Sequence, residues 1–66
     1  MNNKIRVARA EVRMTQQQLA DAADVSSQTI NAIESGKFIP STVLALKIAH
    51  IFGKQVEKIF QLEDGD

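Results

Sequence analysis

The chain must fold by packing apolar side chains, because it has no cysteine and only one histidine, His50, among 66 residues. Neither a disulfide framework nor the usual set of zinc ligands can be assembled from this composition. A chain of this length forms one small core, which leaves only about 3 to 5 kcal/mol of net stability. We therefore expect one domain over residues 1–66, with no metal or other cofactor, that gains stability by oligomerisation.

The charges cancel in total but not along the chain. Eight basic residues balance eight acidic ones, yet residues 1–14 carry a local charge of +3 and residues 57–66 a local charge of −3. A neutral total argues against tight binding of nucleic acid by a single copy, since phosphate binding depends on Lys and Arg. No apolar run approaches the roughly 20 residues of a membrane span, and the N-terminal residues lack the apolar stretch and small-residue cleavage site of a signal peptide, so we expect a cytoplasmic protein.

Start signals define three helices in the first half of the chain. Apolar residues at helical spacing predict helix one over residues 3–13. Thr15 followed by Gln18 is a capping box, which starts helix two at Gln16. A polar interruption and a new cap then predict helix three over residues 27–35.

Two further helices are predicted in the second half. Gly36 suits a left-handed helix end, and Ser41 caps helix four over residues 42–52. The nearly continuous apolar run of helix four predicts that it is central and covered on more than one side. A short helix five is expected over residues 56–61, followed by a tail too polar to pack. The predicted fold class is all-α.

Helices two and three have the features of a helix-turn-helix. They are short, three or four residues separate them, and the second helix is polar. At about 100° per residue, Gln28 and Asn31 share one side of helix three, while Ile30 and Ile33 lie on the other. An amide can pair with adenine, and the methyl of Ala32 can contact thymine. A solvated surface helix would show the same pattern, so the periodicity alone does not decide between the two readings.

The run from Thr15 to Glu34 resembles the phage-repressor and Cro-type helix-turn-helix family of prokaryotic transcriptional regulators, also called the xenobiotic response element family. The apolar positions of the family are occupied by Leu19, Ala20, Val25, Ile30 and Ile33. The likeness continues through residues 36–41 and 44–49, and is to the small members that consist of the DNA-binding domain alone. It implies a compact five-helix repressor-like DNA-binding domain with the helix-turn-helix at residues 16–35.

The resemblance also implies a role for individual residues. Four residues of helix three match base-reading positions: Gln28, Ser27, Asn31 and Ala32. Three others match contacts to DNA phosphates: Gln16, Ser26 and Lys37. The placement of Gln16 at the start of a helix agrees with the preference of helix N-termini for anions.

Arg9 and Glu34 match a family salt bridge that ties helix one to the end of helix three. Where family members often have glycine, this chain has Arg13 and Asp24, so we expect local backbone strain at both positions. Gln55 replaces the Ser or Thr common at the start of the last helix, which predicts a weaker cap. Whether the Arg6 and Arg13 stripe is a solvated flank or a phosphate clamp stays open at this point.

Together these features predict a sequence-specific double-stranded DNA-binding transcriptional regulator, a repressor acting as a homodimer on a pseudo-palindromic operator. Two-fold pairing sets recognition helices about 34 Å apart on one face of B-DNA. The dimer is expected to form through residues 54–66, which also hold the acidic tail. Four apolar residues are the candidate contacts: Ile39, Ile51, Phe60 and Leu62.

A module of another class remains as the alternative. An antitoxin-like or adaptor protein could use the same fold to hold a protein partner, with DNA binding secondary, and the neutral charge favours it. An enzyme is not expected, since one histidine and no cysteine cannot supply a nucleophile, a base and an orienting group.

Overall fold

The structure is a computed structural model that describes residues 1–66. It has five helices, α1 (Ile5–Glu11), α2 (Gln16–Ala23), α3 (Ser27–Glu34), α4 (Thr42–Ile51) and α5 (Val56–Ile59). Two short strands, β1 (Asn2–Asn3) and β2 (Phe60–Gln61), pair antiparallel. The helical architecture confirms the predicted all-α fold. None of the helices has the length and apolar character that crossing a bilayer requires.

The first and last helices are shorter than predicted, because their outer residues pair as strands. Asn3 lies opposite Phe60, and the backbone N–H of Lys4 donates to the carbonyl of Ile59 at 2.8 Å. At its other end α1 stops before Val12, which is 55% exposed. The ribbon of β1 and β2 therefore holds the two ends of the chain together.

The predicted helix ends in the middle of the chain are confirmed. The Thr15 hydroxyl accepts from the Gln18 N–H at 3.0 Å, and the Gln18 amide oxygen accepts from the Thr15 N–H at 2.8 Å. Ser41 likewise accepts from the Leu44 N–H at 3.1 Å. Gly36 has φ of 80°, a value that L residues rarely adopt. These local bonds satisfy helix-terminal groups that would otherwise need water.

The expected backbone strain is also present. Arg13 has φ of 55° and Asp24 φ of 61°, both in the left-handed region. Such a conformation costs an ordinary L residue about 1 to 2 kcal/mol, and less for aspartate. Gln55 makes no side-chain cap bond, as expected for α5.

The core lies where α2 packs against α3 and α4, and where α4 meets α5. Its large side chains are almost fully buried, and each contributes about 1.5 to 3 kcal/mol through the hydrophobic effect. They are Ile5, Leu19, Ile30, Ile33, Ile48 and Ile59.

The predicted covering of the fourth helix on more than one side is confirmed, since α4 packs against both α2 and α5, but its outer side is open. Ile48 of α4 is fully buried, but Val43 is 66% exposed and Leu46 is 53% exposed. The helices α2 and α5 cover the part of α4 that carries Ile48 and Ala49, whereas the part that carries Val43 and Leu46 stays exposed. An apolar surface is therefore left open on α4.

Candidate nucleic-acid interface

The orientation of α3 is fixed by its cap and by two buried side chains. The Ser26 hydroxyl accepts from the Thr29 N–H at 3.1 Å and starts the helix. Ile30 and Ile33 are 0% and 1% exposed and anchor the inner side. The residues on the opposite side of the helix, Gln28 and Asn31 among them, must then point outward, as the helical period requires.

The outer side of α3 is polar, uncharged and free. Gln28 and Asn31 are exposed, and the side-chain hydrogen bonds of this helix involve neither of them. Ser27 and Ala32 are half-buried on the same side. All four predicted base-reading residues therefore share one surface, here called the α3 face. Amide groups with free donors and acceptors can hydrogen-bond to base edges.

The three predicted phosphate-contacting residues lie at the start of α2, at the start of α3 and after the end of α3, and they differ in what they already bind. The Gln16 amide donates to Glu34 Oε1 at 3.3 Å. The Ser26 hydroxyl is engaged in the α3 cap and lies 3.0 Å from the Thr29 hydroxyl. Lys37 is exposed and follows the end of α3, so its ammonium is the one most open to a ligand.

Arg9 and Glu34 form a bidentate salt bridge. Arg9 Nε lies 2.7 Å from Glu34 Oε2, and Arg9 Nη2 lies 3.0 Å from Oε1. The third guanidinium nitrogen donates to the Met14 carbonyl at 2.9 Å. The side chains of Glu34 and Arg9 are 1% and 15% exposed. This pair joins α1, the segment before α2, and the end of α3, so it sets the position of the α3 face.

The environment of Glu34 changes its ionisation. Burial alone would raise the pKa of this carboxyl, but hydrogen bonds from Arg9 and Gln16, with the charges of Arg9 and Arg6, lower the pKa below its usual range. The hydrogen bond to Glu34 raises the pKa of Arg9 above its usual value. Both groups are therefore charged at neutral pH.

Two polar contacts near α3 were missed by the sequence reasoning. Asn3 donates through Nδ2 to the Ile33 carbonyl at 2.9 Å, which ties β1 to the end of α3. Arg6 Nε lies 3.6 Å from Glu34 Oε1, and this side chain is 75% exposed. Neither contact has a local signal in the sequence, because it joins residues about thirty positions apart.

A second open surface lies away from the α3 face. It is a groove of about 300 Å³ between α4, α5 and the chain ends. We call it the apolar groove, and its main apolar walls are Ile39, Pro40, Leu46, Val56, Phe60 and Leu62.

Three of the four predicted dimer contacts line the apolar groove, and the fourth, Ile51, does not. Ile39 and Leu62 line the apolar groove and are 62% and 81% exposed. Phe60 lines the same groove but is only 8% exposed, because it also packs in the core of a single copy. Ile51 is half-buried against the same core and does not line the groove. Leu46 was missed, because a continuous apolar run does not reveal which of its residues stay uncovered.

Known proteins match the chain along nearly its whole length. The profile of the helix-turn-helix family matches residues 5–59. An HTH-type transcriptional regulator of Methanocaldococcus jannaschii is 50% identical over 66 residues, which cover 100% of both chains. The HTH-type transcriptional regulator YgzD of Bacillus subtilis is 41% identical over 64 residues, or 97% of each chain.

A solved structure has the same fold. The crystal structure of the clp gene regulator ClgR from Corynebacterium glutamicum superposes with a TM-score of 0.75 and 31% sequence identity. The match covers 79% of this chain and 55% of the ClgR chain. The likeness is therefore to part of a longer regulator.

Proposed function

The chain belongs to the Cro- and phage-repressor-type helix-turn-helix family of DNA-binding transcriptional regulators, which are not enzymes, and we propose that it is a repressor that binds a pseudo-palindromic operator as a homodimer. The observation that carries this proposal is the α3 face, where the amides of Gln28 and Asn31 are exposed without internal partners. Uncharged donors and acceptors of this kind can distinguish one base edge from another, whereas contacts to phosphates carry no sequence information. In the proposed complex, Gln28, Asn31 and their neighbours Ser27 and Ala32 contact bases in the major groove.

Phosphates supply the binding strength in this proposal. Lys37 contributes a full charge, while Gln16 and Ser26 contribute polar groups at the starts of α2 and α3. One copy with a net charge of zero binds DNA weakly at physiological salt. Two copies double both the phosphate contacts and the bases that are read, which supports a dimer.

The proposed occupant of the apolar groove is a second copy of the chain. Leu62 is 81% exposed and lines the groove, so a projecting side chain and a cavity lie on the same patch. Two-fold pairing requires such a self-complementary patch, because each copy offers the same residues to the other. In the proposed dimer, Leu62 of each copy enters the groove of the other, beside Ile39 and Leu46. The α3 face stays free for DNA.

Sedimentation tests this interface. Leu62→Asp places a charge in the apolar contact and is expected to leave the protein monomeric at micromolar concentration. Val12→Asp is the matched control, since Val12 is also exposed but does not line the groove. The control is expected to sediment like the unmodified protein. A dimeric Leu62→Asp variant would overturn the proposed interface.

Selection from randomised duplex DNA at near-physiological salt tests the operator. The expected result is an enriched palindrome whose half-sites are centred about one helical turn, roughly 34 Å, apart. An enriched site without two-fold symmetry would refute the homodimer on DNA.

A reporter assay tests the direction of regulation. A promoter that overlaps the selected operator is expected to lose expression when the protein is present, because the bound dimer occludes it. Higher expression would make the protein an activator and contradict the repressor role.

The zero net charge favours a second candidate function, an antitoxin-like or adaptor module that holds another protein. In that case DNA binding is secondary, and the apolar groove receives a different chain. Selection with no enriched sequence and only weak, salt-sensitive binding is the result that supports this candidate over the repressor.

A further inference from the structure

One carboxylate oxygen gathers three side chains next to the α3 face. Glu34 Oε1 lies 3.0 Å from Arg9 Nη2, 3.3 Å from Gln16 Nε2 and 3.6 Å from Arg6 Nε. Arg6 and Gln16 come from different helices, yet they are neighbours because they meet at the same atom. The Glu34 side chain is 1% exposed, so this meeting point is fixed within the protein.

The charges at this point do not cancel. Arg9 already pairs with Glu34 through two hydrogen bonds, at 2.7 and 3.0 Å. Arg6 therefore adds a positive charge without a carboxylate of its own. Its side chain is 75% exposed, and its longer 3.6 Å contact is of the kind that contributes little to stability. Arg6 can leave Glu34 for another anion, while Arg9 keeps the buried carboxylate paired.

We propose that Arg6 is a DNA-phosphate contact that engages the same phosphate as Gln16, with Glu34 as the residue that positions both. A guanidinium presents a planar fork of donors that matches phosphate oxygens. This inference rests on the proposed DNA-binding function and decides between the two readings left open for Arg6. Arg6 binds every sequence alike, because a phosphate carries no base information.

A charge-matched control is available on another part of the chain. Lys58 lines a small cleft of about 90 Å³ with Lys4, Val7 and Ile59, and forms no salt bridge. No contact joins it to Glu34 or Gln16. Lys58→Gln therefore removes one positive charge, as Arg6→Gln does, without touching the Glu34 cluster.

The experiment measures affinity for the selected operator and for a random duplex between 50 and 200 mM salt. For Arg6→Gln we expect the slope of log affinity against log salt to become shallower by about one unit for each bound copy, on both duplexes. Over this range the salt-dependent loss of affinity is then about threefold to fourfold smaller for each bound copy than in the unmodified protein. Lys58→Gln is expected to keep the slope of the unmodified protein. Arg6→Lys, which keeps the charge, is expected to have a slope close to that of the unmodified protein. Thermal unfolding of each variant checks that the fold is intact.

Double variants test whether the phosphate is shared. Arg6→Gln combined with Gln16→Ala should lose less affinity than the product of the two single losses, because both act on one phosphate. Arg6→Gln combined with Lys37→Ala should give the full product. Independent losses in the first pair would overturn the shared phosphate.

The outcomes separate this inference from the proposed function. If the unmodified protein binds its operator specifically but Arg6→Gln keeps the unmodified salt slope, Arg6 is a solvated flank and only this inference fails. If the unmodified protein shows no specific binding, the proposed function fails and Arg6 fails with it. Equal slope changes for Arg6→Gln and Lys58→Gln would show a general charge effect and also refute the assignment.

Discussion

The α3 face and the apolar groove differ in what the folded chain leaves unsatisfied. On the α3 face, two exposed amides, those of Gln28 and Asn31, keep free donors and acceptors. In the apolar groove, large aliphatic side chains such as Leu62 stay in contact with water. A surface of free hydrogen-bonding groups suits base edges, whereas exposed apolar side chains suit a second protein surface.

The two surfaces also differ in how firmly they are held. The α3 face stands on a capped helix of eight residues that is tied to α1 and α2 through Glu34. One wall of the apolar groove is α5, which has four residues and no side-chain cap. Reading bases needs a fixed register, while apolar contact has no direction and tolerates adjustment. The polar bonds of Glu34 and the Ser26 cap therefore hold α3, the helix that we propose reads DNA.

The largest expected effect breaks that support. Arg9→Met removes one partner of a nearly dry ion pair and leaves the Glu34 carboxylate without its main counter-charge. We expect the free energy of unfolding, measured with urea, to fall by about 3 to 5 kcal/mol. Arg6→Gln, which removes an exposed partner of the same carboxylate, should cost less than about 1 kcal/mol. Similar losses for both variants would show that the Arg9–Glu34 pair contributes no more to the free energy of unfolding than the exposed Arg6 contact does.

The second prediction acts on the reading of bases. Gln28→Ala should lose about 1 to 3 kcal/mol of binding free energy for each half-site of the operator and relax the base preference at one position of each half-site. Its affinity for random duplex should hardly change. Lys37→Ala is the contrast, since it should weaken binding to both duplexes alike and make the salt slope shallower by about one unit for each bound copy. Gln28→Ala losses of equal size on both duplexes would refute base reading by this residue.

The third prediction concerns acid. The pKa of Glu34 is lowered in the folded chain, so its ionised form stabilises the fold above the usual value of 4.5. This contribution is lost as the pH falls through the lower, folded value. The urea concentration at which half of the protein is unfolded should decrease as the pH is lowered below 4.5. In Glu34→Gln this decrease should be smaller. A drop of equal steepness in Glu34→Gln would assign acid sensitivity to other carboxyl groups.

The smallest expected effect concerns the two connections that flank α2. Arg13→Gly should raise the free energy of unfolding by about 0.5 to 1 kcal/mol, because glycine adopts the observed φ of 55° without strain. Asp24→Gly at φ of 61° should change it less, since aspartate tolerates this conformation. Calorimetric melting curves of the two variants give the comparison. A destabilised Arg13→Gly variant would mean that the Arg13 side chain makes a contact of its own.

The parts of the fold that could be predicted are those set by interactions between residues close in sequence. The caps at Thr15 and Ser41 and the left-handed Gly36 each act within about four residues, so a sequence can show them directly. The ribbon of β1 and β2 could not be seen, because strands of two residues have no period to detect. Hydropathy also failed on α4, where it could not tell the buried Ile48 from the exposed Leu46.

The candidate site divides in the same way. The outward position of Gln28 follows from the helical period alone. The Arg6 contact with Glu34 depends on how α1 lies against α3, and no local pattern reports that packing. The sequence is equally silent on how Phe60 is shared, since this side chain both packs in the core and lines the apolar groove.

The central claim is that the α3 face binds DNA while the apolar groove binds a second copy. The most direct measurement is a set of nitrogen-15 amide spectra of one labelled sample, recorded against protein concentration and then against operator duplex. Dilution is expected to shift signals of Ile39, Leu46 and Leu62, and DNA to shift those of Gln28 and Asn31, in two separate sets. DNA shifts confined to the apolar groove, with the α3 face unchanged, would contradict the account.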